Sequence, residues 1–153
     1  MQQRINATTV SPAAYRAVAT LQTYVDQSGL DPKLRELIKI RASQINDGAF
    51  CLSMHTGGAL KLGESDDRMH LLDSWCEAPV FTARERAALA WTEALTLVSK
   101  TCVPDDVYAE VRRHFSEKEI VDLTAAVVAI NSWNRIAIAF RAPPQVVSAK
   151  AAA

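Results

Sequence analysis

Apolar residues recur along this chain at spacings of three and four, and no segment alternates strictly between polar and apolar positions, so the pattern predicts helices and no strand. Val18, Leu21 and Val25 share one stripe of a first helix, opened by Ser11 as N-cap with Pro12 at the first helical position and ended at Gly29. Asp31-Pro32 repeats the start signal, and Leu34, Leu37, Ile38, Ala42 and Ile45 carry a second helix that stops at Asn46-Asp47-Gly48. A third helix runs from near Ala49 to Leu62, where Gly63 closes it. Gly57 and Gly58 lie inside it, and glycine costs a helix about 1 kcal/mol relative to alanine. The pair therefore predicts the close approach of another backbone or of a bound group.

Ser65 caps a short helix through Leu71, Leu72 and Trp75. Thr82-Ala83-Arg84-Glu85 has the form of a capping box and leads a long helix with Ala88, Trp91, Leu95 and Val98 on one stripe. Pro104 starts another, with Val107, Val111 and Phe115 on a shared face. Ser116 to Glu119 forms a second capping box, and the helix it opens is apolar nearly all round, which predicts burial until Pro143-Pro144 stops it. Residues 143–153 read as a frayed tail. The expected fold is all-α, about six to seven helices in a single domain over 1–153.

Charge narrows the function classes. Lys plus Arg equals Asp plus Glu at 17 each, so no net field draws the chain to nucleic acid or to an anionic membrane surface, and neither partner is expected. No apolar run is expected to approach the length of a membrane span, and the N-terminal residues lack the apolar core of a secretory signal. The three cysteines at 51, 76 and 102 do not form a disulfide framework, and a reducing cytoplasm is the expected compartment.

The chemistry concentrates between Glu36 and Ala59. Cys51 and His55 are four residues apart in the third helix, which puts them on one face with Cys51 in the opening turn. The positive end of a helix and a neighbouring imidazole both favour thiolate over thiol, so Cys51 is read as a reactive cysteine and His55 as the group that stabilises it and moves its proton. The plain alternatives are a buried structural cysteine and a histidine satisfied by a backbone carbonyl. Glu36, read from the residues alone, is a helix glutamate in solvent or paired with Lys39 or Arg41. A metal site is not expected, since Cys51 and His55 have no second pair of ligands at short spacing, and no cofactor is expected. His70 and His114 read as surface residues, and Cys76 and Cys102 as incidental. Asn131, Ser132, Asn134 and Arg135 read as a polar stripe satisfied by neighbouring helices or by a subunit interface, with a part in a pocket wall as the weaker option. Trp91 and Trp133 read as core or interface aromatics.

ELIKIRASQIN leading into FCLSMHT, then EAPVFTARERAALAWTEALT, then FSEKEIVDLTAAVVAINSWNRIAIAFR, together resemble the alkylhydroperoxidase D-like proteins of the carboxymuconolactone decarboxylase superfamily. The resemblance implies an all-helical fold built around a helical hairpin that carries the active site, and assembly as a homo-oligomer, a trimer or a hexamer. It also implies a peroxidase motif of two cysteines and a histidine, with a relay glutamate on the preceding helix. Glu36 matches the glutamate, Cys51 the second cysteine and His55 the histidine. Gly48 stands where the family has its first cysteine, and Asp47 where glycine is usual. The redox pair is thus broken. The implied function is reduction of a small-molecule hydroperoxide by Cys51, with an external thiol or dithiol as reductant because the internal one is missing. Two alternatives stand beside it: decarboxylase-like acid/base chemistry on a lactone acid, and a non-catalytic oligomeric homologue that binds a small molecule or partner.

Overall fold

The computed structural model describes residues 2–144, and among these every regular element is a helix. In order they are α1 (Ala7–Val10), α2 (Pro12–Gln27), α3 (Pro32–Ile45), α4 (Ala49–Lys61), α5 (Asp66–Leu71) with a 3-10 turn at Leu72–Ser74, α6 (Ala83–Thr96), α7 (Val98–Thr101), α8 (Asp105–His114) and α9 (Glu117–Phe140). The seven expected helices are all present. The surplus is α1, capped by Asn6 accepting from the Thr8 N–H, and α7, split from α6 at Leu97, so that Val98 does not continue the α6 stripe.

Local start signals work as their residue types require. The Thr82 and Ser116 side chains each accept from the N–H three residues on, and Glu85 and Glu119 reach back to complete both capping boxes. Asp31 accepts from the Leu34 N–H. Two stops differ from expectation. Ser11 caps α2 with no side-chain hydrogen bond, and α9 ends at Arg141, which turns left-handed at φ +55 before the prolines are reached. Of the expected frayed tail, residues 145–153 lie outside the described residues.

Helix α3 is the hub. It packs on α4, α6 and α9, and its buried residues feed three apolar clusters. Leu34 and Ile38 face the main one, between α2, α6, α8 and α9, with Trp91 and Leu123. Leu37 and Ile40 face Leu72, Trp75, Phe81 and Leu89. Ala42 meets Cys51 of α4 with Ile130 and Ala137 of α9. Full burial of a Leu or Ile stabilises the fold by about 1.5–3 kcal/mol per side chain, so Leu37 and Ile38, both fully buried, anchor the helix on which the site is built.

Helix α9 departs from the expectation of burial on every side. Val121, Val128 and Ile138 stand exposed on it, because its neighbours α2, α3, α4, α6 and α8 cover only part of its circumference. It is also long and apolar enough to cross a membrane by length and composition, which corrects the expectation that no run approaches such a span. The same length and composition suit a core helix, and that is how it packs here.

Candidate active site

Helices α3 and α4 form a hairpin through Asn46–Gly48, and the turn depends on Asp47, which adopts φ +55. Aspartate tolerates that left-handed conformation better than most residues, and glycine better still, which gives the physical reason for a glycine in the related pattern. The hairpin brings Glu36 against His55. His55 Nδ1–H donates to Glu36 Oε2 at 2.8 Å, while Lys39 Nζ donates to Glu36 Oε1 at 3.1 Å. All three side chains are largely buried. Burial alone would raise the Glu36 carboxyl, but the hydrogen bond and charge of His55, joined by Lys39, hold it below the usual carboxylate range. In the neutral ring, Nδ1–H on the carboxylate puts the lone pair on Nε2.

Cys51 and His55 line the same cleft, of about 660 Å³, which opens between α2, α4, α9 and the segment at residues 3–8. Its wall is largely apolar and includes the aromatic side chains of Phe50, Phe140 and the pair Tyr15 and Trp133, whose rings lie 4.7 Å apart. Trp133 is half-buried: it packs against the apolar cluster of Ala42, Cys51, Ile130 and Ala137 and also lines the cleft. Lys39 also faces this space. The segment at 3–8 is held by Arg4, whose backbone N–H donates to Phe140 O at 3.0 Å and whose Nη1 donates to Ala139 O at 3.1 Å, satisfying carbonyls left open at the end of α9.

The electrostatics of Cys51 correct the sequence reading. Its thiol is 1% exposed against Ala42, Ile130 and Ala137, makes no hydrogen bond to His55 or to any other described residue, and burial pushes it up to about 11 from an ordinary 9.0. Desolvation outweighs the helix end and the imidazole, and the resting group is a neutral thiol.

Gly58 corrects a second expectation. A Cβ there would lie 2.8 Å from Glu36 Oε2, so within the chain the close approach is that of a carboxylate side chain and not of a backbone; beyond its chain neighbours and its own helix backbone, no atom of the described residues comes within 4 Å of a Cβ at Gly57. The polar stripe of α9 follows the plain reading in part: Asn131 Nδ2 donates to Thr96 Oγ1 and Asn134 Nδ2 to Ser43 Oγ on neighbouring helices, while Ser132 and Arg135 bond within α9 and Asn134 Oδ1 has no partner among the described residues. Arg41 pairs with Glu93 and Asp73, leaving Glu36 to Lys39 and His55. His70 is exposed, while His114 is half-buried and bonded to Glu110. Cys76 and Cys102 are exposed, and neither lines the cleft. Among the described residues, no three His, Cys, Asp or Glu side chains cluster as a metal site would require.

Three features escaped the sequence reading. Lys39 was visible only as an ion-pair partner at i+3 from Glu36. Residues 3–8 and the contact of Gly48 with Asn134 carry no local signal, since both depend on α9 folding back across the hairpin.

Residues 12–94 match the model of the carboxymuconolactone decarboxylase family. The uncharacterized protein YdfG of Bacillus subtilis is 42% identical over 91% of this chain and 95% of its own length. A solved structure from Agrobacterium tumefaciens, ATU0492, of unknown function and provisionally described as the antioxidant defence protein AhpD, is 46% identical and superposes with a TM-score of 0.93 over 95% of this chain and 99% of its own. A variant of the debrominase Bmp8 in complex with 2,3,4-tribromopyrrole shares the fold alone, with 19% identity and a TM-score of 0.80 over 89% of this chain and 73% of its own. By sequence and by fold, the chain belongs to the carboxymuconolactone decarboxylase family and has the AhpD-like architecture.

Proposed function

We propose that this protein is a peroxidase-type thiol enzyme in which Cys51 attacks a hydroperoxide and His55, oriented by Glu36, carries the proton. The observation that supports this reading is the 2.8 Å hydrogen bond from His55 Nδ1 to Glu36 Oε2, one helical turn from a thiol that faces the same cleft. Because the resting thiol is neutral, its proton leaves within the reaction and is not lost beforehand. Sγ attacks a peroxide oxygen as the proton passes to the free ring nitrogen of His55; the S–O bond forms and the O–O bond breaks. The departing alkoxide takes that proton and leaves as the alcohol. Sulfur is oxidised to the sulfenic acid and the peroxide is reduced. An external thiol then displaces water to give a mixed disulfide, and a second thiol restores Cys51.

The largely apolar wall of the cleft suits an organic hydroperoxide. Exposed free thiols at Cys76 and Cys102 fit a reducing cytoplasm. The exposed apolar row of α9 fits self-association, which sedimentation would register as a species larger than the monomer. Turnover of cumene hydroperoxide with a monothiol reductant tests the reading. Steady consumption that disappears in Cys51→Ser is expected; a wild-type rate equal to the protein-free control would refute it.

One observation favours a second reading. A neutral Cys51 leaves His55 as the basic group of the cleft, with Lys39 beside Glu36, an arrangement open to acid/base chemistry on an anionic substrate such as a lactone acid. On that reading Cys51→Ala retains turnover.

A further inference from the structure

Position 48 has no room for a side chain. A Cβ built on Gly48 would stand 2.2 Å from Asn134 Oδ1 and 3.1 Å from Asn134 Cγ, far inside contact distance. Neither side can yield cheaply. Asn134 is fully buried, and its Nδ2 is committed to Ser43 Oγ at 3.1 Å and Ile130 O at 2.8 Å. Gly48 is tied to the same residue from the other side, its N–H donating to Ser43 O at 2.9 Å. Asn134 Oδ1 itself is buried without a hydrogen-bond partner, an uncompensated cost unless the amide serves some end at this place. That place is about one helical turn before Cys51, at the N-cap of α4, close enough in the chain for a thiol there to reach Cys51 Sγ.

We propose that Asn134 bars a side chain, and with it a resolving cysteine, from position 48, so that, with Cys76 and Cys102 exposed and outside the cleft, the oxidised Cys51 is released by an external thiol. Asn134 is a positioning residue: it acts on the space at position 48, not on the peroxide. The inference rests on the thiol reading for its meaning in turnover, while the steric exclusion stands on geometry alone.

The test uses Gly48→Cys, Asn134→Ala and the double variant, with melting curves and non-reducing mass spectrometry after diamide, which joins two thiols as a disulfide and is itself reduced to the hydrazine. Expected for Gly48→Cys alone is a Tm below wild type and at least tenfold less disulfide between the introduced thiol and Cys51 than in the double variant, which recovers Tm and oxidises readily. A single variant that fails to fold beside a double variant that folds supports the same conclusion. Equal disulfide yield in the single variant at wild-type Tm, or a double variant that gains neither, overturns it. Substituting hydroperoxide for diamide separates the two claims. Diamide-formed disulfide with no peroxide oxidation in any variant would sink the peroxidase reading and leave the exclusion by Asn134 intact.

Discussion

Glu36 is held from both sides, by His55 Nδ1 at 2.8 Å on one oxygen and Lys39 Nζ at 3.1 Å on the other, and this three-residue network joins the two arms of the α3–α4 hairpin beneath the cleft. Its charge and its geometry have separable consequences. Glu36→Gln keeps the shape and removes the charge, so Cys51 oxidation is expected to slow by about 10- to 100-fold, measured as the pseudo-first-order rate of thiol loss. Glu36→Ala leaves Lys39 buried without its partner, and denaturant unfolding is expected to show a loss of about 3 kcal/mol that adding Lys39→Met partly restores.

The same carboxylate gives an acid limb. Glu36 titrates below its ordinary 4.5 in the folded protein, so its contribution to stability is complete above pH 4.5 and is lost as pH falls through the lower folded value. Unfolding free energy measured from pH 6 downward should fall less steeply in Glu36→Gln than in wild type.

Cys51 gives the opposite limb. Its folded thiol titrates at about 11 against 9.0 when unfolded, so stability is undiminished below pH 9 and declines as pH rises towards 11, by about 2 kcal/mol. Cys51→Ala should abolish that decline. Iodoacetamide should label Cys76 and Cys102, which are exposed, well before Cys51 at pH 7.

Two adjacent glycines should respond in opposite directions. Gly57→Ala faces open space and is expected to raise stability by about 0.5–1 kcal/mol through helix propensity. At Gly58 the added methyl would meet Glu36 Oε2 at 2.8 Å, so Gly58→Ala is expected to lower stability and slow Cys51 oxidation together. Thermal melts and peroxide kinetics on both variants check the pair.

Trp133 meets Tyr15 in the cleft wall, ring centroids 4.7 Å apart and planes tilted by 57°. Trp133→Ala should raise KM for cumene hydroperoxide about 10-fold, in line with about 1–1.5 kcal/mol for an aromatic contact, while leaving the reaction with hydrogen peroxide little changed.

Much of this was legible in the sequence because its signals are local. The capping boxes at Thr82 and Ser116 and the Asp31-Pro32 start fix helix ends through atoms three residues apart. The nearness of Cys51 to His55 follows from helical spacing, and the place of Glu36 came through the family resemblance. What was illegible is tertiary. The desolvation of Cys51 comes from Ala42 on α3 and from Ile130 and Ala137 on α9, so no reading of its own helix could reverse the expectation of a thiolate. The clash between position 48 and Asn134 joins residues far apart in the chain. The exposed row on α9 was hidden for the same reason, since an apolar sequence does not say which of its faces finds a neighbour.

The most direct test of a buried thiol deprotonated by His55 is mass spectrometry after brief, substoichiometric cumene hydroperoxide in the presence of a sulfenic-acid trap, on wild type, Cys51→Ser and His55→Ala. The account predicts adduct on Cys51 in wild type, none in Cys51→Ser, and formation about 100-fold slower in His55→Ala. Labelling shared evenly among Cys51, Cys76 and Cys102, or unchanged in rate without His55, would contradict it.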